Sequence, residues 1–197
     1  MKGLFGMKRL AFAVFILSIT APLAFTQPTT WAFDSAHSGV NFTISHMAVS
    51  KVHGHFGITS GTIVLDPADL AKSAVQATID VSSVDTGNSQ RDTDLKSDKF
   101  FNTATYPTAT FVSTSVAKSG NGYTVAGNLT LHGVAKPVVL QVEGPTGPVT
   151  GMMDKKPHSG FSATTTLNRT AFGVGNLPSA MVGEDVEITI DLETVQQ

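Results

Sequence analysis

Apolar and polar residues alternate with a period of two along most of the chain. The clearest run lies near the C-terminus, where the apolar residues from Val186 to Leu192 alternate with Glu187, Thr189 and Asp191. Because successive side chains of a β-strand point to opposite faces, such a run has one buried and one solvated face. The pattern predicts antiparallel strands, since buried parallel strands have unbroken apolar runs. The same alternation marks residues 40–46, 75–81, 123–131, 138–142 and 161–167.

Turn signals separate the predicted strands. The sequence Ser-Gly-Asn-Gly over residues 119–122 predicts a hairpin. Farther along, Pro145, Gly147 and Pro148 indicate a second connection, which continues as a polar loop to Pro157. These signals divide the chain into about eight short strands.

Two short helices are expected between strands. The first runs from Pro67 to Lys72, because proline is favoured at the first helical position after a capping residue such as Asp66. The second runs from Ser89 to Asp98, and its first turn has the spacing of a capping box.

About eight one-sided strands must bring their apolar faces together, either as a sandwich or as a closed barrel. Closure removes exposed strand edges, and at about eight strands it leaves room for one ligand. The alternation alone does not choose between these two architectures.

The first residues have the composition of a secretory signal peptide. A basic start is followed by an apolar stretch over residues 10–25, which is short for a membrane span of about 20 residues. We therefore expect a signal peptide over residues 1–26 and one exported domain over residues 27–197, located in the periplasm or secreted. An uncleaved membrane anchor is the alternative.

Composition excludes several classes of protein. The 197 residues include no cysteine, which excludes disulfide scaffolds and sites that need a thiolate. Three of the 13 Lys and Arg residues lie in the predicted leader, leaving ten against 15 Asp and Glu and no basic cluster. A nucleic-acid partner is therefore not expected, and the mature protein is expected to be soluble.

Six segments with short motifs follow one another along the mature chain. They are 31–47 (Trp-x-Phe-Asp-x-x-His-Ser at its start), 52–63, 91–111 (Arg-Asp-x-x-Leu-Lys-Ser), 127–137 (Gly-x-Leu-Thr-Leu-His-Gly), 167–173 (Leu-Asn-Arg-x-x-Phe-Gly) and 182–192. Together, in this order, they resemble the YceI-like family of exported lipid-binding proteins. The resemblance implies an all-β protein with a single antiparallel lipocalin-like β-barrel of about eight strands and one or two short helices. It also implies a binding protein that holds a long amphiphile such as a polyisoprenoid in an internal tunnel, without enzymatic activity or a cofactor.

The residues expected to line such a tunnel are mostly phenylalanines. A long apolar guest needs apolar walls, because each five-carbon isoprenoid unit gains roughly 3 kcal/mol on leaving water. By themselves these side chains equally suit a solid core, and the resemblance favours lining. The expected lining residues are Phe42, Ile44, Phe56, Phe100, Phe101, Phe111, Phe161 and Phe172.

Three polar residues, His46, Arg91 and Asp92, are predicted to meet the head group of the ligand. His46 continues the inward-facing parity of Phe42 and Ile44, and its imidazole can donate a hydrogen bond. Arg91 and Asp92 open the second predicted helix, where a guanidinium and helix amides favour anions. The alternatives are a structural hydrogen bond for His46 and an Arg91–Asp92 pair that holds the loop.

The remaining polar residues predict neither a metal site nor a catalytic site. His53 and His55 share one strand face, but no third ligand lies in the same segment. His37 and His132 lack a nucleophile elbow of the Gly-x-Ser-x-Gly type, and the aspartates are spread over separate runs.

The sequence therefore predicts an exported, non-catalytic protein that carries or sequesters a polyisoprenoid, a quinone or a polyprenyl phosphate. Fatty acids or fatty amides in the same tunnel are the main alternative. A lipid-modifying enzyme and a barrel with a filled core are the others. Transient membrane contact is expected for a lipid carrier, and the apolar run Met47-Ala48-Val49 is a candidate dimer contact.

Overall fold

Nine β-strands make up most of residues 27–197, the part of the chain that the computed structural model describes. The predicted signal peptide, residues 1–26, lies outside the described residues. The strands are β1 (Thr29–Phe33), β2 (Gly39–His46), β3 (Ser50–Leu65), β4 (Ala74–Asp85), β5 (Thr108–Ser119), β6 (Gly122–Leu131), β7 (Val134–Thr150), β8 (Pro157–Asn168) and β9 (Val182–Gln196).

Strands β2 to β9 form a closed antiparallel barrel of eight strands. Each strand pairs with two neighbours, and the β3–β4 pairing completes the circle. Strand β1 pairs with the same two strands as β2, so that Trp31 lies opposite Ile63 on β3 and Gln196 on β9. Strands β1 and β2 therefore both lie between β3 and β9, and together they act as one strand of the wall that is interrupted at residues 34–38. The structure confirms the all-β barrel and excludes the sandwich.

One α-helix and two short 3₁₀ turns connect the strands. The second predicted helix is α1 (Ser89–Lys96), which ends two residues earlier than expected. Its N-cap is Asn88, because the Asn88 side chain accepts the N–H of Arg91 at 3.0 Å. The capping box from Ser89 to Asp92 is therefore not formed.

The first predicted helix is wrong in extent. The Asp66 carboxylate accepts the backbone N–H groups of Ala68 and Asp69, both at 3.0 Å, and folds these residues into a turn. Only a 3₁₀ turn over Leu70–Lys72 follows. A second 3₁₀ turn, Thr170–Phe172, was not predicted.

The connection predicted at Pro145, Gly147 and Pro148 is also wrong, because β7 continues through these residues to Thr150. The β7–β8 register shifts twice, between Glu143 and Thr146 and between Thr146 and Val149. Bulges of this kind accommodate residues without a backbone N–H inside a strand.

The two ends of the barrel are built differently. One end, named here the helix end, carries α1. At the opposite end, named the closed end, Trp31, Ile63, Leu65 and Phe161 are buried against one another. The segments at the helix end are the turn 47–49, residues 86–107 with α1, the turn 132–133 and the loop 169–181.

Two glycines let phenylalanine rings lie flat against the inner wall. A Cβ at Gly54 would collide with the Phe42 ring from the neighbouring strand, and a Cβ at Gly127 would collide with the Phe111 ring. Each ring therefore occupies the space that a side chain on the glycine would fill, and it does not project to the centre of the barrel.

The β6–β7 hairpin turns at His132 and Gly133, whose φ angles of 52° and 75° are typical of a two-residue type I′ turn. The His132 ring packs edge-on against Tyr106, with 4.9 Å between ring centroids. His132 thus anchors a turn, which explains its position without catalysis.

Candidate functional site

The barrel is hollow. A cavity of about 510 Å³ runs inside it, and every strand from β2 to β9 contributes to its wall. Pockets that hold small molecules are typically about 300–1,000 Å³ and mostly apolar. The polar residues on the wall are Ser45, His46, Ser73, Thr165, Arg91, Asp94 and Arg169, and all but Ser73 and Thr165 lie toward the helix end.

All eight predicted lining residues lie on the cavity wall. Five are carried by strands, as the period of two requires, whereas Phe100 and Phe101 follow α1 and Phe172 lies in a 3₁₀ turn. Phe101 packs against apolar clusters on opposite sides of the barrel and so spans the interior at the helix end. Contact of these residues with a ligand stays a prediction.

Three rings form a continuous aromatic surface near the helix end. The Phe42 and Phe56 ring centroids are 5.2 Å apart, and Phe56 meets Phe101 edge-to-face at 5.5 Å. Aromatic pairs at such separations stabilise one another beyond the area they bury. The position of Phe101 is therefore tied to the barrel wall through Phe56.

Arg91 lies on the cavity wall and is held by Thr86. Its Nε–H donates to Thr86 Oγ1 at 2.8 Å, and an Nη2–H donates to the Thr86 carbonyl at 2.9 Å. A guanidinium has five N–H donors, so three remain without a protein acceptor among residues 27–197. Half-buried Arg91 is thus oriented by the protein and can still bind a ligand.

Asp92 is not on the cavity wall, and its predicted contact with a head group stays a prediction. Its Oδ1 accepts the Thr86 N–H at 2.9 Å and the Thr86 hydroxyl at 2.5 Å. Arg91 and Asp92 are therefore joined through Thr86 and not by a direct ion pair. This arrangement holds the loop before α1, close to the structural alternative considered from the sequence.

One face of α1 points into the cavity. Arg91, Asp94 and Leu95 all line it, and their spacing of three and four residues places them on one side of a helix. Sequence reasoning missed Asp94, although this spacing could have indicated it. Because His46 and Asp94 are exposed and also line the cavity, the cavity opens at the helix end.

Arg169 also reaches the cavity wall, but all five of its N–H groups are used. The side chain is only 6% exposed, and no carboxylate of residues 27–197 forms an ion pair with it. Arg169 therefore organises the loop 169–181 and has no donor left for a ligand. Its acceptors are the backbone carbonyls of Gly183, Val174, Gly175, Leu177 and Val182, at 2.8–3.0 Å.

Two histidines outside the cavity have raised pKa values. The pKa of His37 is raised mainly by its hydrogen bond to Asp34, whose own pKa that bond lowers. The pKa of His158 is raised mainly by its hydrogen bonds to Glu193 and Asp154. These groups sit on the outer side of the barrel wall, so they do not set the polarity of the cavity.

The paired histidines on β3 are exposed and gather no third ligand within the described part of the chain. His53 Nδ1 lies 3.0 Å from the Thr43 hydroxyl. None of the helices in residues 27–197 is long and apolar enough to cross a membrane.

Sequence comparison shows clear relatives. The model of the YceI-like domain matches residues 31–194. Protein YceI of Escherichia coli O17:K52:H18 is 36% identical over 167 residues, which cover 83% of this chain and 84% of that protein. Protein YceI of Salmonella newport gives the same identity and coverage.

Solved structures share the barrel. Burkholderia cenocepacia BcnA matches with a TM-score of 0.71 at 30% identity, covering 82% of this chain and 98% of that one. The Campylobacter jejuni YceI protein matches with a TM-score of 0.65 at 26% identity, over 94% and 99% of the two chains. A polyisoprenoid binding domain from Saccharophagus degradans, at 18% identity and a TM-score of 0.57, has the same fold over 85% and 98%.

Proposed function

The chain belongs to the YceI-like family, and from that premise we propose that it is a non-catalytic carrier that holds a long amphiphile in its barrel. The observation that carries the proposal is the cavity of about 510 Å³ with an almost wholly apolar wall. The Saccharophagus degradans domain with the same fold is described as polyisoprenoid binding. A polyisoprenoid, a quinone or a polyprenyl phosphate is therefore the proposed guest.

The wall chemistry favours a guest that is apolar along most of its length. Each isoprenoid unit gains roughly 3 kcal/mol on leaving water, whereas a polar group in mid-chain would lose its hydrogen bonds there. Away from the helix end, only Ser73 and Thr165 offer polar atoms to the cavity. The head group of the guest is accordingly assigned to the helix end.

Arg91 is the residue that we assign to the head group. Its three unused N–H groups, fixed by the bonds to Thr86, can bind a phosphate or carboxylate oxygen, and charge-assisted hydrogen bonds of this kind contribute about 1.5–3 kcal/mol. His46, exposed at the same opening, supplies a second polar contact.

The opening is bordered by an apolar rim, Met47, Val49 and Met181, which are 57%, 85% and 49% exposed. The N–H of Met47 donates to the Met181 carbonyl at 2.8 Å, so the rim is one connected surface. Its sequence neighbours His46 and Val182 line the cavity. We assign the rim to transient contact with a membrane, through which a lipid enters without crossing water.

Export to the periplasm is part of the same proposal. It rests on the basic and apolar composition of residues 1–26, and the test is the location and N-terminal sequence of the mature protein. A mature protein starting near Gln27 in the periplasmic fraction supports export, and an intact chain in the cytoplasm contradicts it.

The first test is organic extraction of freshly purified full chain, followed by mass spectrometry. A stoichiometric isoprenoid lipid supports the carrier, and a fatty acid or fatty amide supports the main alternative. A protein that neither retains a lipid nor takes one up from vesicles contradicts both. A chemically altered lipid released after incubation would indicate an enzyme.

The second test separates head-group binding from chain binding. Arg91→Met is expected to weaken retention of a polyprenyl phosphate about 10-fold or more, which is about 1.4 kcal/mol, and to leave the neutral polyprenol unchanged. Lys96→Met is the matched control, because Lys96 is exposed on the same helix and does not line the cavity. Equal losses for both lipids in Arg91→Met would refute the assignment.

The rim is tested with Met47→Ser/Val49→Ser. Slower lipid uptake from vesicles, with unchanged retention of lipid already bound, supports membrane contact. A wild-type protein that is a dimer by light scattering, and a variant that is a monomer, would instead assign the rim to a second copy of the chain.

A further inference from the structure

A second cluster of chemically active side chains lies outside the cavity, where the barrel wall is interrupted between β1 and β2. Asp34 and His37 lie in the five-residue break 34–38, and Glu193 lies beside them on β9. One ligand atom from each of the three residues lies within 4.8 Å of the other two. Within the part of the chain that the structure describes, this is the one such group.

We propose that Asp34, His37 and Glu193 bind one divalent transition-metal ion of the zinc class at this junction. The proposal is independent of the lipid cavity and of the function assigned to it.

The ligand set selects the class of ion. One imidazole nitrogen and two carboxylate oxygens suit zinc and the neighbouring transition metals, whereas calcium and magnesium take oxygen ligands. Zinc bonds of about 2.0–2.2 Å to nitrogen and oxygen need ligand atoms that are already close together. The observed separations require only a small movement of side chains, of which His37 is exposed and Asp34 and Glu193 are partly buried.

The backbone fixes the two parts of the site relative to each other. The N–H of Asp34 donates to the Glu193 carbonyl at 2.9 Å. The Ser38 hydroxyl donates to the same carbonyl at 3.2 Å and accepts the Glu193 N–H at 3.1 Å. Because these bonds use only backbone groups of Glu193, its place on the wall is set without its carboxylate.

The Glu193 carboxylate is itself oriented by a histidine. His158 Nδ1 lies 2.8 Å from Glu193 Oε1, and His158 Nε2 lies 3.0 Å from Asp154 Oδ2. Metal ligands are commonly oriented by a hydrogen-bonded partner of this kind, and loss of that partner weakens metal affinity about 10–100-fold. We therefore assign His158 as a positioning residue.

The charge balance at the junction also favours a cation. Three carboxylates, those of Asp34, Glu193 and Asp154, meet here, and among residues 27–197 their ion-pair partners are the two imidazoles of His37 and His158 and no Lys or Arg. A bound divalent ion would tie the β1–β2 break to β9 across the seam, in a chain without cysteine for disulfide bonds. Such an ion should stabilise the folded state, because binding to the folded form alone shifts the unfolding equilibrium.

The test is titration of the untagged full chain, stripped with a chelator, with zinc by isothermal calorimetry, together with the melting temperature at each zinc concentration. One ion per chain and a rising melting temperature are expected. Glu193→Gln and His37→Ala should each weaken binding at least 10-fold and abolish the thermal shift. His158→Asn should keep one site with about 10-fold lower affinity.

His53→Ala/His55→Ala is the matched control, because it removes two exposed histidines that gather no third ligand. It should bind zinc as the wild type does. Glu193→Gln preserves side-chain size and the backbone bonds to Ser38, so its circular dichroism spectrum should remain native. Absence of saturable binding in the wild type, wild-type affinity in both ligand variants, or loss confined to the control variant would each overturn the proposal.

Discussion

The helix end and the closed end of the barrel satisfy their buried polar groups in different ways. At the closed end, the Thr194 hydroxyl donates to the Ser159 carbonyl at 2.8 Å and the Ser159 hydroxyl to the Thr146 carbonyl at 2.9 Å, bonds between neighbouring strands. At the helix end, Arg169 donates only to loop carbonyls and to the start of β9. Polar groups at the closed end are thus satisfied by bonds between neighbouring strands of the wall, whereas the helix end depends on loops, which open at lower cost.

The largest loss of stability is expected for Arg169→Met, because this substitution removes the side chain that organises the loop 169–181. Five carbonyls would lose their donor, and each buried polar group left without a hydrogen bond typically costs about 1–3 kcal/mol, so a total loss above about 3 kcal/mol is expected. Urea denaturation should show this loss in the free energy of unfolding. Arg91→Met is the control, and it should cost less, about 1–3 kcal/mol, because only two hydrogen bonds of a half-buried side chain to Thr86 are lost. Equal costs would show that the loop does not depend on Arg169.

Trp31→Ala should break the closed end and cost about 3 kcal/mol, as truncations of large buried side chains do. Trp31 is 7% exposed and packs with Ile63, Leu65 and Phe161. If the closed end is only a seal, the rate at which bound lipid leaves for acceptor vesicles should hardly change. A rate increased more than 10-fold would mean that the guest leaves through the closed end. The helix end would then not be the exit of the barrel.

Gly127→Val should displace the Phe111 ring into the cavity, since a Cβ at this position already collides with that ring. Overpacking of this kind typically costs about 1–3 kcal/mol, and the amount of lipid bound per chain should fall. Asn128→Val, at the neighbouring exposed position, is the control and should leave lipid content unchanged. Full lipid content in Gly127→Val would show that the guest does not reach the centre of the barrel.

The smallest effect is expected at the rim. Met47 and Ala48 both have a φ of 53°, a conformation that costs residues with a Cβ about 1–2 kcal/mol each. Ala48→Gly should therefore stabilise the protein by about 0.5–1 kcal/mol, measured by thermal unfolding. The same substitution at Ala135, an exposed strand position, should destabilise it instead. Destabilisation by both would mean that the turn carries no strain.

Strand positions and wall residues could be predicted from the sequence, because one physical rule connects them. A period of two decides which side chain faces inward, so Phe42, Ile44 and Phe161 could be assigned to the interior from the sequence. The resemblance to a known family decided between sandwich and barrel, which the alternation by itself could not do.

The polar part of the site was less predictable, because it depends on acceptors that the sequence does not display. A hydrogen bond with Thr86 holds the Asp92 carboxylate away from the cavity, whereas Asp94 lines the cavity. The position of each residue around the helix axis, and not its type, sets this difference. The acceptors of Arg169 are all backbone carbonyls, which every residue has. Glu193 and His37 are distant along the chain, so their proximity follows only from closure of the wall.

The pairing of both β1 and β2 with β9 has a consequence for how the barrel is made during synthesis. Antiparallel partners at opposite ends of a sequence must find each other across a large loop, which slows folding. Until residues 182–196 are available, the apolar lining stays open to other chains, and incomplete β-structures of this kind aggregate. The nascent polypeptide therefore has to be kept apart from its neighbours until its last strand has emerged, and a chaperone that binds extended apolar segments would meet that need.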